Sequence, residues 1–386
     1  VPRQLPESWL LAYLAYTHES KSPEIFHLWT GISIIAGALQ RKVWFDMAYY
    51  KLYPHHYIVL VSPPGRCAKT TAMAIGRSMT KKVDYYPFAV ESTSREKLIK
   101  SMSQSLKNGQ SVLNVHAGEF ASFFATSAEK MLVFLTDIYS AQETWAHETI
   151  SGQLSEIRGP FLNLLAATTP DSLERDVAVA AVGVGLTSRI IFVYEDTPRT
   201  QPWRPKLSDS QRALGQLLMS DLAHIATLQG EFAITPEFDD AFQAWEDQHT
   251  VEFNTTDSPL LDDYFERKSD HLKKLCMVIS AAYKDELVLT KHDLDLALTT
   301  LAQAEQRMSS VFSGVGKNPL IRDINDVLVD FLSSPAGFTR GEIALRFSHS
   351  LRLEEVDEVL TTLQVRGQII LRDGRYYAVG GNNGKL

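Results

Sequence analysis

The stretch Tyr57 to Met73, YIVLVSPPGRCAKTTAM, constrains the fold of this 386-residue chain more than any other. Its continuous apolar run, Tyr57 to Val61, predicts a buried strand; it breaks at Pro63-Pro64-Gly65 and resumes at Lys69 as a Thr- and Ala-rich helix. A strand, a phosphate-sized turn and a helix start in that order make an anion cradle, because unpaired backbone N–H groups and the positive end of the helix dipole converge there. The candidate phosphate-binding residues are Pro64, Gly65, Arg66, Cys67, Ala68, Lys69, Thr70 and Thr71. Lys69 reaches toward the β- and γ-phosphates, and the Thr70 hydroxyl is the candidate Mg²⁺ ligand.

The fit to G-x-x-x-x-G-K-[ST] is imperfect. With Lys69 in register, Pro63 stands where the first Gly belongs and Ala68 where the second does, so a reshaped loop is expected. A surface turn before a helix that happens to contain Lys-Thr is the plainer account. The ordered arrival of strand, Gly turn, Lys-Thr and helix favours phosphate binding.

A chain this long can hold two or three domains. No run approaches the roughly 20 apolar residues of a membrane span, and the opening residues, VPRQLPESW, do not read as a signal peptide, so a cytoplasmic protein with no membrane partner is expected. Only Cys67 and Cys276 occur, which supports neither a disulfide framework nor a thiolate metal site. The His residues are scattered and no zinc site is expected. A net charge of −8 argues against coating of nucleic acid over the whole surface, so any DNA contact should be local.

Residues 1 to 56 read as a helical collar, with helices opening after Pro6 and Pro23 and a strand-like KVWFDMAYY leading into the phosphate-loop strand. Phe88 to Val90 reads as a short strand, and Thr93-Ser94-Arg95-Glu96 as a capping box. The run Val112 to Val115 predicts a second buried parallel strand, with Glu119 just past its C-terminal end, where ligands bind in open α/β sheets. A carboxylate there can orient and deprotonate a water beside a γ-phosphate; alone, it reads equally as a helix-start acid. Two short segments around Ser151-Gly152 read as a hairpin flanked by His147 and Arg158, either an ordinary edge hairpin or a loop that grips a phosphate backbone. PFLNLLAATTP is another buried strand, ending at Thr168-Thr169. Arg189 interrupts an apolar run, as a structural ion pair or as an arginine offered to a neighbouring subunit's nucleotide.

Thr197 to Ser208 is a Pro-rich linker, and the segment from Leu207 to about Gly314 reads as helical throughout, with Arg267-Lys268 early in one helix. Pro319 to Val379 reads as helix, helix-turn-helix and hairpin, a winged helix, with Thr339 and Glu342 forming a capping box and Asp373-Gly374 at the hairpin turn. Its second helix opens with Glu354, Glu355, Asp357 and Glu358, which repel phosphates. Arg372 and Arg375 on the wing are its DNA candidates, and a protein-contact role is the alternative.

The order of these parts resembles an AAA+ ATPase, and specifically the minichromosome maintenance (MCM) helicases and the MCM-like helicases of phages and mobile elements. Ala68-Lys69-Thr70 is similar to the family's phosphate loop, which carries Ala before the Lys. Gly118-Glu119-Phe120 falls where the family has Asp-Glu-Phe. LSEIRGPFLNLLAATTP is similar to its stretch from the pore hairpin into sensor 1, with Thr169 where Asn is usual. LTSRIIFVYED resembles its arginine-finger segment at Ser188 and Arg189, and Arg267 is placed similarly to its sensor-2 arginine. The resemblance covers residues 57 to 380.

The resemblance implies an α/β fold: an AAA+ P-loop core at 57–197, an α-helical lid at 198–317, a winged helix at 318–380 and a flexible tail at 381–386, behind the collar at 1–56. It implies ATP and Mg²⁺ as cofactors, a homo-oligomeric ring, expected to be a hexamer, and action on single-stranded or forked DNA beside a primase or replication initiator. Implied roles are phosphate binding for Lys69 and Thr70, water positioning for Glu119, γ-phosphate sensing for Thr169, an arginine from the neighbour for Arg189, and a second arginine for Arg267. Gly118 replaces the acid that supports Mg²⁺ in the family. The alternative is a loader or regulatory ATPase that does not unwind DNA, or a nucleotide-stabilised ring without turnover.

Overall fold

The computed structural model describes residues 2–89, 94–120, 128–148, 154–173, 185–201, 203–253, 259–311, 336–346, 353–365 and 367–379. Val90, Thr93, Ser151, Gly152, Pro202, the segment 312–335 and the tail 381–386 lie outside them. The chain divides into two units, Val1–Ser313 and Gly314–Leu386.

Helices α1 (Trp9–Tyr16) and α2 (Glu24–Leu39) open the first unit. The segment read as one strand, KVWFDMAYY, is instead a hairpin of β1 (Val43–Asp46) and β2 (Lys51–Leu52). The chain reverses there because Asp46 Oδ1 accepts from Ala48 N at 3.0 Å and Ala48 adopts a φ of 59°.

The sheet that follows is α/β in character. It contains β3 (Tyr57–Val61), β4 (Leu106–Lys107), β5 (Gln110–Ala117), β8 (Pro160–Thr168) and β9 (Ile190–Tyr194), in the order β4-β5-β8-β3-β9. All but β4 run parallel, and Phe88 adds a parallel bridge to Asn114 beyond β5. Every residue of β3 is buried, as its unbroken apolar run requires of a strand covered on both faces.

Helix α2 and helix α3 (Lys69–Met79) cover one face, where Gly37 lets α2 approach closely: a Cβ there would fall 2.2 Å from Asn114 Oδ1. Helix α5 (Ala128–Tyr139) covers the other, and Tyr57 Oη donates to Leu135 O at 3.0 Å. Helix α4 (Arg95–Gln104) is capped by Ser94, whose Oγ accepts from Lys97 N at 3.4 Å. Strands β6 (Thr144–Glu148) and β7 (Leu154–Arg158) form an antiparallel pair between α5 and β8. A short α6 (Pro170–Leu173) follows β8.

The helical region contains α7 (Asp209–Ile225), α8 (Pro236–Phe253), α9 (Pro259–Glu266), α10 (Lys268–Tyr283), α11 (Lys291–Glu305) and α12 (Met308–Val311). It is not helical throughout. Strand β10 (Gly230–Glu231) pairs in parallel with β1, and β11 (Ala233–Ile234) with β12 (Val288–Leu289), pairings with no local periodicity to announce them. The expected single helix through Arg267 breaks at that residue into α9 and α10. The N-terminal residues bind this region directly: the buried Asp221 carboxylate accepts from Gln4 N and Leu5 N, both at 2.8 Å, and Trp9 Nε1 donates to Leu218 O at 2.8 Å.

In the second unit, β13 (Phe338–Thr339), β14 (Ile369–Arg372) and β15 (Arg375–Ala378) form an antiparallel sheet beside α13 (Arg340–Arg346) and α14 (Leu353–Val365). The capping box is present: Thr339 N donates to Glu342 Oε2 at 2.8 Å, and Glu342 N to Thr339 Oγ1 at 3.3 Å. Asp373 and Gly374 take φ of 49° and 75°, as a tight two-residue hairpin turn requires. Ile343, Val356, Val359, Leu360, Leu363 and Ile369 form its core.

Arg41 holds the first unit together at the N-terminal edge of the sheet. Only 5% exposed, it donates to Ala141 O at 2.7 Å, Gln142 O at 3.1 Å, Pro160 O at 3.3 Å, Tyr53 Oη at 2.8 Å and Glu143 Oε1 at 2.8 Å. Arg41→Met leaves those acceptors without a donor and should lower the unfolding free energy by about 3 kcal/mol. Urea denaturation followed by tryptophan fluorescence measures this; a loss below about 1 kcal/mol would contradict it.

Candidate functional site

Because β3, β5, β8 and β9 are parallel, their C-terminal ends meet at one edge of the sheet. The candidate phosphate loop, 62–68, lies there between β3 and α3. Gly65 has a φ of 67°, and Ala68, at the position where the motif calls for its second Gly, is itself left-handed at φ 46° and ψ 46°. A side chain in that conformation costs about 1 kcal/mol or more. Neighbours hold it: Ser22 Oγ donates to Ala68 O at 2.8 Å, and the buried Cys67 fills the inside of the loop.

Lys69 folds back over the loop, and its Nζ donates to Ser62 O at 2.7 Å. Burial pushes its ammonium below the usual lysine range, while Cys67 and Glu119 work in the opposite direction. Thr70 and Thr71 open α3 and are exposed. The end of β5 comes beside them, so that a Cβ at Gly118 would stand 3.5 Å from Thr70 Cγ2. Thr70, Met73, Ala74, Arg77, His116 and Gly118 line a cavity of about 140 Å³. Burial, with Arg77 adding to it, pushes the His116 imidazole down to about 3.

Strand β8 separates β3 from β5, and loop and acid are tied to it on either side: Ser62 N donates to Thr168 O at 3.3 Å and Phe120 N to Ala167 O at 2.7 Å. This edge therefore gathers Lys69, Thr70, Glu119 and Thr169. Thr169 Oγ1 accepts from Ser172 N at 3.2 Å and donates to Ser172 Oγ at 3.0 Å, which makes it the cap of α6. Among the described residues no three His, Cys, Asp or Glu side chains cluster as a metal cage. Thr70 turns its methyl, Cγ2, toward Gly118, a position that carries no side chain to offer a ligand.

Sequence reasoning missed Arg307 at this edge. Its Nη1 meets Glu195 Oε1 at 2.5 Å and its Nη2 meets Asp196 Oδ1 at 2.9 Å, with the guanidinium 4.9 Å from the Tyr194 ring centroid. Glu195 N donates to Val61 O at 3.0 Å, so the pair sits directly beside the start of the loop. Nothing local marks Arg307; its partners are more than a hundred residues away.

Arg189 lies at the opposite edge. It ends a 3-10 turn, Thr187–Arg189, just before β9, whose first residue pairs with Tyr57 at the start of β3. The five residues of β3 put roughly 16 Å of strand between Arg189 and the loop. Arg189 Nη1 donates to Gly185 O at 2.5 Å, its guanidinium stands 5.9 Å from the Tyr139 ring centroid, and its buried Nε has no partner. Burial, and after it Arg267, pushes its pKa below the usual arginine value. Arg267 thus accompanies Arg189 at this edge.

Beneath them Lys274 is 2% exposed. His55 Nε2 lies 3.1 Å from Lys274 Nζ and 2.9 Å from Tyr139 O; with its proton on Nε2, His55 donates to the carbonyl and meets Lys274 as a neutral amine. Burial pushes Lys274 down to about 7, with Asp270 opposing and Arg267 and Arg189 adding to the fall. His271 Nε2 reaches Ser188 O at 2.9 Å and links α10 to the arginine turn.

Of the candidate DNA contacts, Arg158 is exposed but bidentate to Glu156, with both bonds at 3.0 Å. His147 lies 3.3 Å from Arg95 Nη1 and stacks on Trp145. The hairpin tip with Ser151 and Gly152 is outside the described residues. Arg372 and Arg375 face each other across β14 and β15, and Arg375 Nη1 donates to Gly337 O at 3.0 Å. Asp357 on α14 is paired bidentately with Arg340. No protein-family model matches the sequence, and no curated protein matches it.

Lys274 gives the far edge a pH signature. Unfolded, it keeps its proton to about pH 10.4; folded, it loses it near 7. Between those values the unfolded chain binds the extra proton, so stability rises with pH. The melting temperature of the wild type should therefore climb from pH 7 to pH 9 relative to Lys274→Met, and parallel profiles across that window would contradict a neutral buried lysine.

Proposed function

We propose that the chain is an ATP-driven ring ATPase of the AAA+ type, resembling the MCM-like helicases of phages and mobile elements, and that it translocates on single-stranded DNA as a homo-oligomer, a hexamer. In this reading residues 1–56 are a collar, 57–197 the nucleotide core, 198–317 a lid and 318–380 a winged helix. One observation carries it: the loop edge, with Lys69, Thr70 and Glu119, and the Arg189–Arg267 edge lie at opposite ends of the same strands. Neither arginine reaches its own loop, so a complete site needs a second copy of the chain, whose arginines meet this chain's phosphates.

Each residue then has a task set by its chemistry. Lys69 releases Ser62 O and holds the phosphates, and the backbone of 64–68 with the start of α3 supplies N–H donors. Thr70 offers its hydroxyl to the nucleotide's Mg²⁺, which neutralises phosphate charge when bound. Glu119 orients a water and accepts its proton, across the space that β8 opens between acid and loop. Thr169, at the end of β8, contacts the γ-phosphate through its hydroxyl.

A loader or regulatory ATPase without unwinding is the second reading. It is favoured by Arg158, which Glu156 already neutralises at the hairpin. The two readings part in strand displacement on a forked duplex, which the helicase performs and the loader does not.

Mixing separates a shared site from a self-contained one. Arg189→Ala should lose ATP turnover by about 10³-fold with nucleotide binding retained, and adding Lys69→Ala subunits should restore part of it, since a mixed interface reassembles one intact site. Normal turnover by Arg189→Ala alone would refute the shared site.

A further inference from the structure

The β1–β2 hairpin exposes rings that a folded chain normally covers. Tyr49 is 100% exposed and Tyr50 52%, on a turn that is firmly built: Met47 N donates to Tyr50 O at 2.9 Å, Asp46 Oδ1 caps Ala48 N, and Ala48 is left-handed. An ordered turn that holds strain while presenting two bare tyrosines is built for a contact. Beside it Lys51 Nζ stands 4.6 Å from the Trp44 ring centroid.

Trp44 also lines a cavity of about 730 Å³, together with Lys42, Tyr85, Lys107, Asn108 and Gln110. There Lys107 Nζ stands 4.6 Å from the Tyr85 ring centroid, which repeats the ammonium-over-ring arrangement. Lys42 and Lys107 share this cavity and repel each other; burial, with Lys107 adding to it, pushes Lys42 down to about 8. Of the nearby carboxylates, Asp46 is engaged in the turn, Asp84 pairs with Lys107 at 3.1 Å, Glu231 accepts from Trp44 Nε1 at 3.4 Å, and Asp270 stands near enough to Tyr50 to add to the upward shift that burial gives its phenol. Rings interleaved with ammonium groups suit a single strand, whose bases stack while its phosphates meet cations.

The position fits the same ligand. Arg41 fastens the start of β1 to the residues before β6 and to the first residue of β8, so both hairpins rise from the same sheet edge, opposite the phosphate loop. From this juxtaposition we infer that the β1–β2 hairpin and the adjoining cavity bind single-stranded DNA, with Tyr49 and Tyr50 stacking on bases and Lys51 and Lys107 facing phosphates, while Lys42 Nζ stays on Ala226 O. The inference rests on the proposed function for its ligand and goes beyond it in assigning a strand contact outside the β6–β7 hairpin.

Fluorescence anisotropy of a labelled oligothymidylate with the full chain, without nucleotide, tests it. Tyr49→Ala should weaken binding about tenfold, and Tyr49→Phe, which keeps the ring, should stay within about twofold of wild type. Lys51→Gln should reduce the salt dependence by about one phosphate contact. DNA-independent ATP hydrolysis should be unchanged in all three, since neither Tyr49 nor Lys51 is among the residues given a task at the loop edge or the arginine edge. Equal affinity of wild type and Tyr49→Ala, a preference for duplex, or no binding by wild type would each overturn the inference. Tyr49-dependent binding by a chain that neither hydrolyses ATP nor displaces a strand would leave the hairpin site standing and reject the translocase.

Discussion

A single buried amide, that of Asn163, joins three strands and the helix that covers them. Its Oδ1 accepts from His56 N at 3.1 Å, and its Nδ2 lies within hydrogen-bonding distance of Ser33 O at 2.9 Å, Ser33 Oγ at 3.1 Å and Asn114 Oδ1 at 3.3 Å. A polar group fully buried in an apolar sheet is tolerated only when it is satisfied, and those partners exist only if β8 lies between β3 and β5 with α2 across them. A register slip of one residue turns the amide to the opposite face and strands it there. The strand order that separates the candidate phosphate loop from Glu119 is therefore tied to a requirement of the core.

From that order comes the division of the molecule into two chemically distinct edges. The C-terminal edge combines a strained, lysine-bearing loop with carboxylates at 119, 195 and 196, so cations and anions alternate there. At the other edge burial and then Arg267 depress the protonation of Arg189, and burial with both arginines depresses that of Lys274, with Asp137 opposing at Arg189 and Asp270 at Lys274. The two arginines favour an anionic partner, and in the proposed ring that partner is the neighbouring copy's nucleotide.

The loop edge was largely legible in the sequence, because a buried run followed by Gly, Lys-Thr and a helix encodes its geometry within seventeen residues. Ala68 was visible as a departure from the motif, but not that its backbone would be left-handed. The β1–β2 turn read as strand because alternation of ring and polar residues does not reveal a φ of 59° at Ala48. Arg307 carried no signal at all, since an isolated arginine declares a partner only once Glu195 and Asp196 are brought to it.

By itself the sequence determined the buried strands, the turn and helix of the loop, the capping box of Thr339 and Glu342, and the Asp373-Gly374 hairpin. Each follows from neighbours within a few residues, where propensity, sterics and short hydrogen bonds act. Only the tertiary structure decided that β8 separates loop from acid, that Arg41 bolts two hairpins to one edge, that β10 and β11 pair with distant strands, and that Arg189 and Arg267 stand together away from Lys69. Those outcomes depend on partners far apart in the sequence, such as Val43 and Gly230, and pairing and desolvation energies between such groups exist only when the chain has closed around them.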